Sequence, residues 1–388
     1  MKSNRKIALF MIILSATVLG SALLLLTNTD ASQKKLNPSA LTKIAKENTD
    51  EDVCIAAVSE LDEPAALAEI ARNASHWKVR VVAIYRLDDQ TVLAEISKND
   101  ENEKVRQMAI YKLEDQVALV AIAKSDRSES VRCMAIEKLA DQMVITDIAK
   151  HEERGWVRGK AVEKLADQKL LAEIVNADEN KWVRQAAARK LNDQEVIAEI
   201  AKHDEDAEVR KIATGKLNDQ MLLLEIARTD SDRYVRQVAV SKLDDQSVLA
   251  EIVKSQEVEG VRQEAVRSIT DQAILWEIVG SGDNEQMRHI AMSRLSDPTL
   301  LMEILKHGKD EQIRVLAVRR INDQTAFAEF ARNDTSAEVR RSAVEKLHDP
   351  MVLAEIAKED QDARVRKSAA RKLSDQTLLI EIAKNGDC

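Results

Sequence analysis

The sequence predicts an all-α protein, a solenoid of about thirteen helical hairpins of 26 residues each, followed by one terminal helix. Three observations predict this fold: a 26-residue period without insertion or deletion, helix-capping residues at two fixed positions of each period, and apolar residues at helical spacing. Constant spacing over many periods is typical of arrays in which each unit packs only on its neighbours.

The clearest column of the repeat is a Val-Arg pair. It begins at Val79-Arg80 and returns every 26 residues to Val365-Arg366, with Met287 and Ile313 in place of valine in two units. Because these arginines do not vary between units, we interpret them as structural. We expect a ladder in which each guanidinium pairs with a carboxylate or a helix-end carbonyl of its own or the next unit.

An aspartate column that starts at Asp89 predicts the N-cap of the first helix in each unit. The four prolines follow this column or its first members, at a position where a missing N–H costs nothing: Pro38, Pro64, Pro298 and Pro350. In the unit that opens at Asp89, the first helix is predicted over residues 90–98. Glu95 and its equivalents are expected to pair with a lysine of the same helix.

A second capping column, represented by Asn102, predicts the start of the second helix. Val105, Ala109, Ile110 and Leu113 then form one helical stripe, so this helix is predicted to extend to about residue 113. An alanine recurs at the Ala109 position in every unit, which indicates a close crossing of two backbones.

The pattern D-[QP]-x-x-L-x-E-I-A-K with V-R-x-x-A resembles the short bacterial HEAT-like repeats and is similar to the leucine-rich variant repeat. The resemblance covers residues 37–388 and implies a right-handed α-solenoid superhelix that binds partners. One HEAT-like branch is linked to attaching bilin chromophores to phycobiliproteins. The leucine-rich variant type is associated with a Cys-rich cluster-binding segment, which this chain lacks.

Residues 1–31 predict an export signal or a transmembrane anchor, because basic residues precede an uncharged apolar run over residues 7–26. That length favours an uncleaved anchor, since about 20 residues span a bilayer. We therefore expect a single-pass protein of the cell membrane with its repeats outside the cytoplasm; the alternative is secretion, or release into the periplasm, after cleavage. Residues 32–36 form a spacer, and residues 37–388 the solenoid.

Composition and motifs do not favour enzyme chemistry. The three cysteines form no CxxC, the six histidines are scattered, and the sequence has neither HExxH nor a glycine-rich phosphate loop. We therefore expect no cofactor and no metal. The formal net charge of −9 disfavours nucleic acid as a partner.

Recognition is expected where the units differ. The position before the Val column, in the first turn of the second helix, carries Trp156, Trp182 and Tyr234, with Trp77 one residue earlier in its unit. Such aromatic residues either contact a partner or cover the apolar turn beneath them.

Two further positions, two and six residues after the Val column, are expected to face outward. They change from apolar and aromatic side chains at one end to basic ones at the other. The candidates here are Tyr85, Tyr111, Arg319, Arg341, Lys367 and Arg371.

These features predict a non-enzymatic scaffold of the cell envelope that binds a protein or peptide on an extended surface. The alternatives are an accessory lyase-like enzyme of the HEAT-like branch, and an element that assembles end to end as a homo-oligomer through a terminal helix over residues 375–388.

Overall fold

The computed structural model describes residues 37–281 and 284–374, and residue 380. Over these residues it contains 26 helices and no strand, and the helices pair as successive hairpins. The predicted all-α fold of repeated hairpins is confirmed. Odd-numbered helices below are the first helices of their hairpins, and even-numbered helices are the second.

The chain divides into two compact units, Met1–Val196 and Ile197–Cys388. The helices of the first unit follow each other with turns of a few residues: α1 (Pro38–Glu47), α2 (Glu51–Ser59), α3 (Pro64–Asn73), α4 (Trp77–Arg86), α5 (Gln90–Asn99), α6 (Glu103–Lys112), α7 (Gln116–Ser125), α8 (Glu129–Lys138), α9 (Gln142–His151), α10 (Gly155–Val162), α11 (Gln168–Ala177) and α12 (Lys181–Lys190). The unit boundary falls within α13 (Gln194–His203).

The second unit continues with the same alternation: α14 (Ala207–Thr214), α15 (Gln220–Thr229), α16 (Arg233–Ser241), α17 (Gln246–Lys254), α18 (Glu259–Ser268), α19 (Gln272–Ser281), α20 (Glu285–Arg294), α21 (Pro298–His307), α22 (Glu311–Arg320), α23 (Gln324–Asn333), α24 (Ala337–Lys346), α25 (Pro350–Glu359) and α26 (Ala363–Lys372).

The capping columns start the helices as the sequence predicts. The Asp89 carboxylate accepts hydrogen bonds from the backbone N–H groups of Thr91 and Val92, at 2.9 and 3.1 Å, and opens α5. Asn102 accepts from Lys104 N at 2.8 Å and opens α6. Both caps satisfy N–H groups that a helix leaves without partners in its first turn.

The residues of the alanine column are buried in the packing of each hairpin. In all thirteen hairpins the residue at the Ala109 position is buried, with at most 5% of its surface exposed. Val105, Ile110 and Leu113 are fully buried beside it, so one stripe of the second helix forms the core of each hairpin. A larger side chain at the alanine position would separate the backbones that pack there.

The arginine column forms the expected ladder. Arg106 donates to Asp100 O in its own hairpin at 2.9 Å and to the Asp126 carboxylate of the next hairpin at 2.8 and 3.0 Å. The acceptor is not the capping Asp column but the acid that ends the next first helix. The same kind of pair joins Arg80–Asp100, Arg132–Glu152, Arg158–Asp178, Arg210–Asp230, Arg314–Asp334 and Arg340–Asp360.

Near the end of most second helices, a column of lysine or arginine bonds backward. Lys112 Nζ donates to Tyr85 O, at the C-terminal end of the preceding second helix, at 2.7 Å. Equivalent bonds of 2.6 to 2.9 Å are donated by Arg86, Lys138, Lys164, Lys190, Lys242, Arg294, Arg320 and Lys372. A cation at a helix C-terminus satisfies carbonyls that have no helical partner and is favoured by the helix dipole.

The glutamines that open most first helices bond forward. Gln90 Nε2 donates to Lys112 O at 3.3 Å, and its Oε1 accepts from Glu114 N at 2.7 Å. The Gln90 side chain thus binds both the last residue of the next second helix and the turn that follows that helix. Gln116, Gln168, Gln220 and Gln324 make the same two bonds.

The partner predicted for the glutamate column is wrong, because the ion pair forms with a different helix. Glu95 pairs with Arg72 of the preceding first helix, not with a lysine of its own helix. Glu69 pairs in the same way with Lys46, and Glu355 with Arg332. Because adjacent first helices lie side by side, the cation at the end of one reaches the acid in the middle of the next.

The prediction of a single-pass membrane protein is contradicted. Among residues 37–281 and 284–374, no helix has the length and apolar character needed to cross a membrane. The helices there have at most ten residues, against about 20 for a bilayer span. The predicted anchor, residues 7–26, and the spacer, residues 32–36, lie outside the described residues, as does the terminal helix over residues 375–388 apart from residue 380.

Candidate partner-binding surface

The second helices of neighbouring hairpins touch through two positions that vary. The residue two places after the Val column contacts the residue just before the Val column of the next hairpin. Gln107 Nε2 donates to Ser130 Oγ at 3.0 Å, and Gln237 Nε2 donates to Gly260 O at 2.8 Å. The first turns of successive second helices therefore form one edge of the stack within each unit.

This contact corrects one part of the sequence interpretation. Positions two residues after the Val column were expected to face outward, but Val81, Cys133 and Val315 are buried there. They face the adjacent second helix, which a helical wheel of a single hairpin does not include. Burial also raises the pKa of the Cys133 thiol to about 11, so the thiol stays protonated at neutral pH.

The aromatic candidates before the Val column lie at the surface. The side chains of Trp156 and Trp182 are 63% and 56% exposed, and Tyr234 is 49% exposed. Trp77 is half-buried. More than half of Trp156 and of Trp182 is therefore open to contact.

Six residues after the Val column, the candidates are also exposed. Tyr85 and Tyr111 lie on the neighbouring helices α4 and α6 of the first unit, and both are exposed. Lys367, which lies two residues after the Val column, is exposed as well, and in the second unit Arg319 and Arg371 are exposed at the sixth position. This position points away from the adjacent helices, so the outward orientation predicted for it is correct.

The basic candidates of the second unit belong to α22, α24 and α26. Arg341 is half-buried and forms an ion pair with Glu338 on its own helix. The helix α26 carries five cations and no acid: Arg364, Arg366, Lys367, Arg371 and Lys372. Arg364 lowers the pKa of Asp362 to about 2 through side-chain hydrogen bonds.

The helices that carry the aromatic residues also differ in charge. Most second helices have an acid in their first turn, as the helix dipole favours. The helices α4, α10, α12 and α16 have none, and neither does α26, which carries no aromatic residue. Cations stand at their N-termini: Lys78, Arg154, Lys181 and Arg233.

Three of these cations lie against an aromatic ring. Lys181 Nζ is 5.6 Å from the centroid of the Trp182 ring, the Arg233 guanidinium is 4.6 Å from Tyr234, and Lys78 Nζ is 5.9 Å from Trp77. At these distances the ring face attracts the cation. Each pair presents an apolar plane and a positive charge side by side.

Two glycines bring the first turns of α10 and α12 together. A Cβ atom on Gly159 would lie 3.7 Å from Trp182 O, so the two backbones are in contact at that point. A Cβ atom on Gly155 would lie 2.2 Å from Asn180 Nδ2, because the Asn180 side chain occupies that space. Trp156 and Trp182 are thereby held in adjacent turns.

Beside this pair, Lys160 of α10 is fixed by two acids. Its Nζ lies 2.7 Å from Glu137 Oε1 and 3.0 Å from Glu163 Oε2. Burial lowers the pKa of Lys160, but the hydrogen bonds to Glu163 and Glu137 outweigh it and the pKa is raised. The charge of Lys160 is therefore neutralised locally. Arg154 is exposed and forms an ion pair with Glu129, with 3.4 Å between Nε and Oε1.

One exposed aromatic residue was missed. Trp276 of α19 is 45% exposed and lies on a first helix, at a position that is alanine in several other units. A tryptophan among the smaller side chains of that column was the available signal. No group of three or more His, Cys, Asp or Glu side chains that could hold a metal ion occurs among the described residues.

No family model matches the chain, and no curated protein matches it. Solved structures do: a leucine-rich repeat variant with a novel repetitive structural motif is 21% identical, with 58% of this chain and 88% of that chain covered and a TM-score of 0.44. Its own successive hairpins and 26-residue period make the chain a helical repeat protein. Yeast importin-beta (Kap95p) is 12% identical, with 89% and 55% covered and a TM-score of 0.35. A chain of the Pds5-Scc1 complex is 14% identical, with 94% and 63% covered and a TM-score of 0.15.

Proposed function

We propose that this protein is a non-enzymatic scaffold that binds a protein or peptide partner on the exposed side of its second helices. The observation that carries the proposal is the contrast between columns. The Arg, Lys and Gln columns repeat because they join hairpins, whereas the exposed first-turn residues differ from hairpin to hairpin. Because the joining columns are much the same in most hairpins, a partner distinguishes one hairpin from another by the side chains that differ.

The aromatic residues support a binding role more directly. Tryptophan, tyrosine and arginine are enriched among the residues that carry most of the energy of protein interfaces. Trp156, Trp182, Tyr85 and Tyr111 all belong to second helices of the first unit and are exposed. We also propose that the repeats are of the short bacterial HEAT-like kind, on the basis of their 26-residue period and the V-R-x-x-A motif.

Site-specific photo-cross-linking tests the proposal. A photoreactive phenylalanine analogue is placed at Tyr111 on a second helix, and as a matched control at Met143 on the first helix α9, which is also exposed. Extract of the native source is irradiated with each full-length variant. We expect a defined cross-linked protein from position 111 that is absent from position 143.

The result is then compared in the Trp156→Ala/Trp182→Ala background and in Trp276→Ala. The double change should reduce the yield of that cross-link at least tenfold, while Trp276→Ala leaves it unchanged. Equal cross-linking from positions 111 and 143 would overturn the proposal. So would a cross-linking yield that is the same with and without the double change.

A further inference from the structure

We propose that the second unit contains a hinge between the hairpin of α15 and α16 and the hairpin of α17 and α18, at which the two hairpins bend relative to each other. This inference goes beyond the proposed binding function, because it concerns a motion of the chain and does not depend on what the protein binds. A hinge is a place where a few residues absorb the change between two arrangements of packed elements. At this junction, each of three polar contacts that recur between hairpins is weaker or missing.

The arginine ladder is weakened at this junction. Gln256 occupies the position that Asp230 occupies in the preceding hairpin, so an amide replaces the ladder carboxylate. Arg236 pairs instead with Glu257, through a hydrogen bond of 3.1 Å from Nε to one carboxylate oxygen. At the preceding junction, Arg210 donates two hydrogen bonds to Asp230, at 2.8 and 2.9 Å. The Glu257 side chain is 26% exposed and that of Asp230 is 6% exposed, so water screens the pair more at this junction.

The described helices α16 and α18 lack the backward bond that joins most second helices. Lys242 of α16 donates from Nζ to Gly215 O at 2.9 Å and so ties the end of α16 to the end of α14. The equivalent residue of α18 is Ser268, whose short side chain has no charge. From position 86 to position 372, Ser268 is the one residue of this column that is neither lysine nor arginine. The last turns of α16 and α18 therefore lack this charged contact.

The first helices of the two hairpins are joined weakly as well. Arg228 of α15 and Glu251 of α17 approach within 3.6 Å, which is too long for a hydrogen bond, and both side chains are more than half exposed. At the next junction, Lys254 donates a hydrogen bond of 2.9 Å to Glu277. Because exposed ion pairs contribute little to stability, the contact between α15 and α17 holds the hairpins only loosely.

The helix α18 also begins without a side-chain cap. Its N-cap residue is Val258, whose side chain has no hydrogen-bond acceptor. The matching residue of α16 is Asp232, which accepts from Tyr234 N at 2.8 Å and from Val235 N at 3.2 Å. Gly260 in the first turn of α18 adds to the cost, because glycine favours helix less than other residues do. The N-terminus of α18 is therefore less stable than that of α16.

The contacts that remain across the junction are mainly apolar. The helices α16 and α18 pack against each other, and Val235, Ala239 and Val261 are fully buried. Gln237 Nε2 donates to Gly260 O at 2.8 Å and keeps the first turn of α18 beside α16. Apolar contact has no preferred direction, so the hairpins stay packed while the angle between them changes.

Bending at this junction changes the exposed surface of the second unit. Tyr234 of α16 lies before the junction and Arg319 of α22 lies after it, and both side chains are exposed. A change of the angle between the hairpins alters the distance between these two side chains. The second helices of this unit thereby fit partners of different shape.

Distances between spin labels, measured by electron–electron double resonance in the full-length protein, test the inference. One label pair, Met221→Cys with Ala273→Cys, lies two periods apart on either side of the junction. The matched control pair, Val117→Cys with Lys169→Cys, has the same spacing in the first unit, and all four positions are exposed. Both pairs are made in a Cys388→Ser background, and the other two native cysteines are buried. We expect the distance distribution of the 221/273 pair to be at least twofold wider than that of the control pair.

Restoring the missing contacts tests their role. The triple variant Gln256→Asp/Val258→Asp/Ser268→Lys supplies the ladder carboxylate, the cap and the backward cation. It should narrow the 221/273 distribution to about the width of the control pair and raise the Tm. Ser268→Lys alone should narrow it partly, which keeps the test available if the triple variant does not fold. Ser293→Lys, which adds a cation at an exposed position of α20, should leave the width unchanged.

Two results would overturn the hinge. One is an equal width of the two distance distributions in the wild-type background. The other is a wide 221/273 distribution that both the triple variant and Ser268→Lys leave unchanged, because the bending would then not arise from the missing contacts. Loss of the cross-link at position 111 would overturn the proposed function and leave the hinge standing.

Discussion

Arg106 of α6 and Asp126 at the end of α7 belong to consecutive hairpins, and the guanidinium donates two hydrogen bonds to the carboxylate, at 2.8 and 3.0 Å. The two side chains are 2% and 4% exposed. Asp126 also accepts a hydrogen bond from Ser128 N at 2.7 Å, so it stabilises the turn that follows α7. This pair ties the second helix of one hairpin to the first helix of the next.

Removing one member of this pair should be costly. Arg106→Ala or Asp126→Ala leaves a buried charge without its partner, and we expect either change to lower the free energy of unfolding by about 3–5 kcal/mol. The first hairpin has Cys54 and the second has Ala74 at the matching positions, which suggests a matched double variant, Arg106→Cys/Asp126→Ala, with Arg106→Cys and Asp126→Ala as its single variants. In urea unfolding, its loss should be smaller than the sum of the two single losses; an additive result would show that the residues act independently.

The glutamine bridge predicts a smaller effect. Gln116 Nε2 donates to Lys138 O at 3.3 Å, and Gln116 Oε1 accepts from Ala140 N at 3.0 Å. Gln116→Ala should lower the free energy of unfolding by about 1–2 kcal/mol, because two hydrogen bonds between hairpins are lost. Val117→Ala, at the exposed next residue, is the control and should change it by less than about 0.5 kcal/mol. Equal effects of the two changes would contradict a bridging role.

The two glycines of α10 predict opposite outcomes for the same substitution. Gly159→Ala places its Cβ atom 3.7 Å from Trp182 O, an ordinary contact, and should be neutral or stabilising because alanine favours helix by about 1 kcal/mol. Gly155→Ala would displace the Asn180 side chain, which caps α12 through a 3.0 Å bond from Trp182 N. Loss of that cap should cost about 1 kcal/mol in thermal or urea unfolding. The reverse order of stability would show that Gly155 is not constrained by Asn180.

The ladder also predicts a pH dependence. Burial raises the pKa of Asp230, but its hydrogen bonds with Arg210 and with the backbone of Asp232 outweigh burial, and the pKa is lowered. A lowered folded-state pKa contributes stability above the unfolded value, near pH 4, and that contribution is lost as the pH falls through the folded-state pKa. The stability difference between wild type and Asp230→Asn should therefore be largest above pH 4 and shrink in more acidic solution.

Urea midpoints measured between pH 2 and 7 test this pH dependence. Asp244→Asn, an exposed carboxylate in the same hairpin, is the control. The control difference should stay small over this range. A wild-type advantage over Asp230→Asn that grew below pH 4 would contradict the sign of the pKa shift.

The exposed tryptophans should matter little for stability. Trp156→Ala and Trp182→Ala remove side chains that are more than half exposed, and we expect the free energy of unfolding to fall by less than about 1 kcal/mol. Leu119→Ala, in the fully buried core of α7, should cost about 2–5 kcal/mol. Circular dichroism during thermal unfolding measures both. A large loss for the tryptophan variants would mean that the rings serve packing.

Most of the fold was predictable from the sequence because capping residues and the Val, Ala and Leu columns are local signals. Asp89 and Asn102 cap the helices that the sequence assigned to them. The arginine ladder was also predictable as a class of contact, since a charged residue that recurs beside a buried valine needs a partner. Its actual carboxylate, the acid at the end of the next first helix, requires the packing of one hairpin on another.

The errors in the surface have the same origin. Val81 and Glu95 were interpreted from the periodicity of a single helix, whereas each contacts the equivalent helix of a neighbouring hairpin. The Gln90 bridge was missed because its position was interpreted only as one that tolerates proline. Trp276 was not predicted because it lies on a first helix, whereas the variable positions were sought in the first turns and on the outward side of the second helices. Contacts between hairpins join residues that lie about one period minus three residues apart in the sequence. The periodicity of a single helix does not indicate these contacts, because they depend on how the hairpins stack.

The bonds made by Gln90, Arg106 and Lys112 have a consequence for how the gene can change in length. Each joins residues whose separation in the sequence is set by the 26-residue period. If unequal recombination removes residues 90–115, Gln116 directly follows Asp89 and Lys138 comes to lie opposite Tyr85. The new junction between hairpins would hold the same residue types that make these contacts in the present chain. Loss of half a period would instead place a first helix where a second helix belongs. Such a gene can lose whole hairpins with little damage at the junction, and the number of exposed first turns would change with each step.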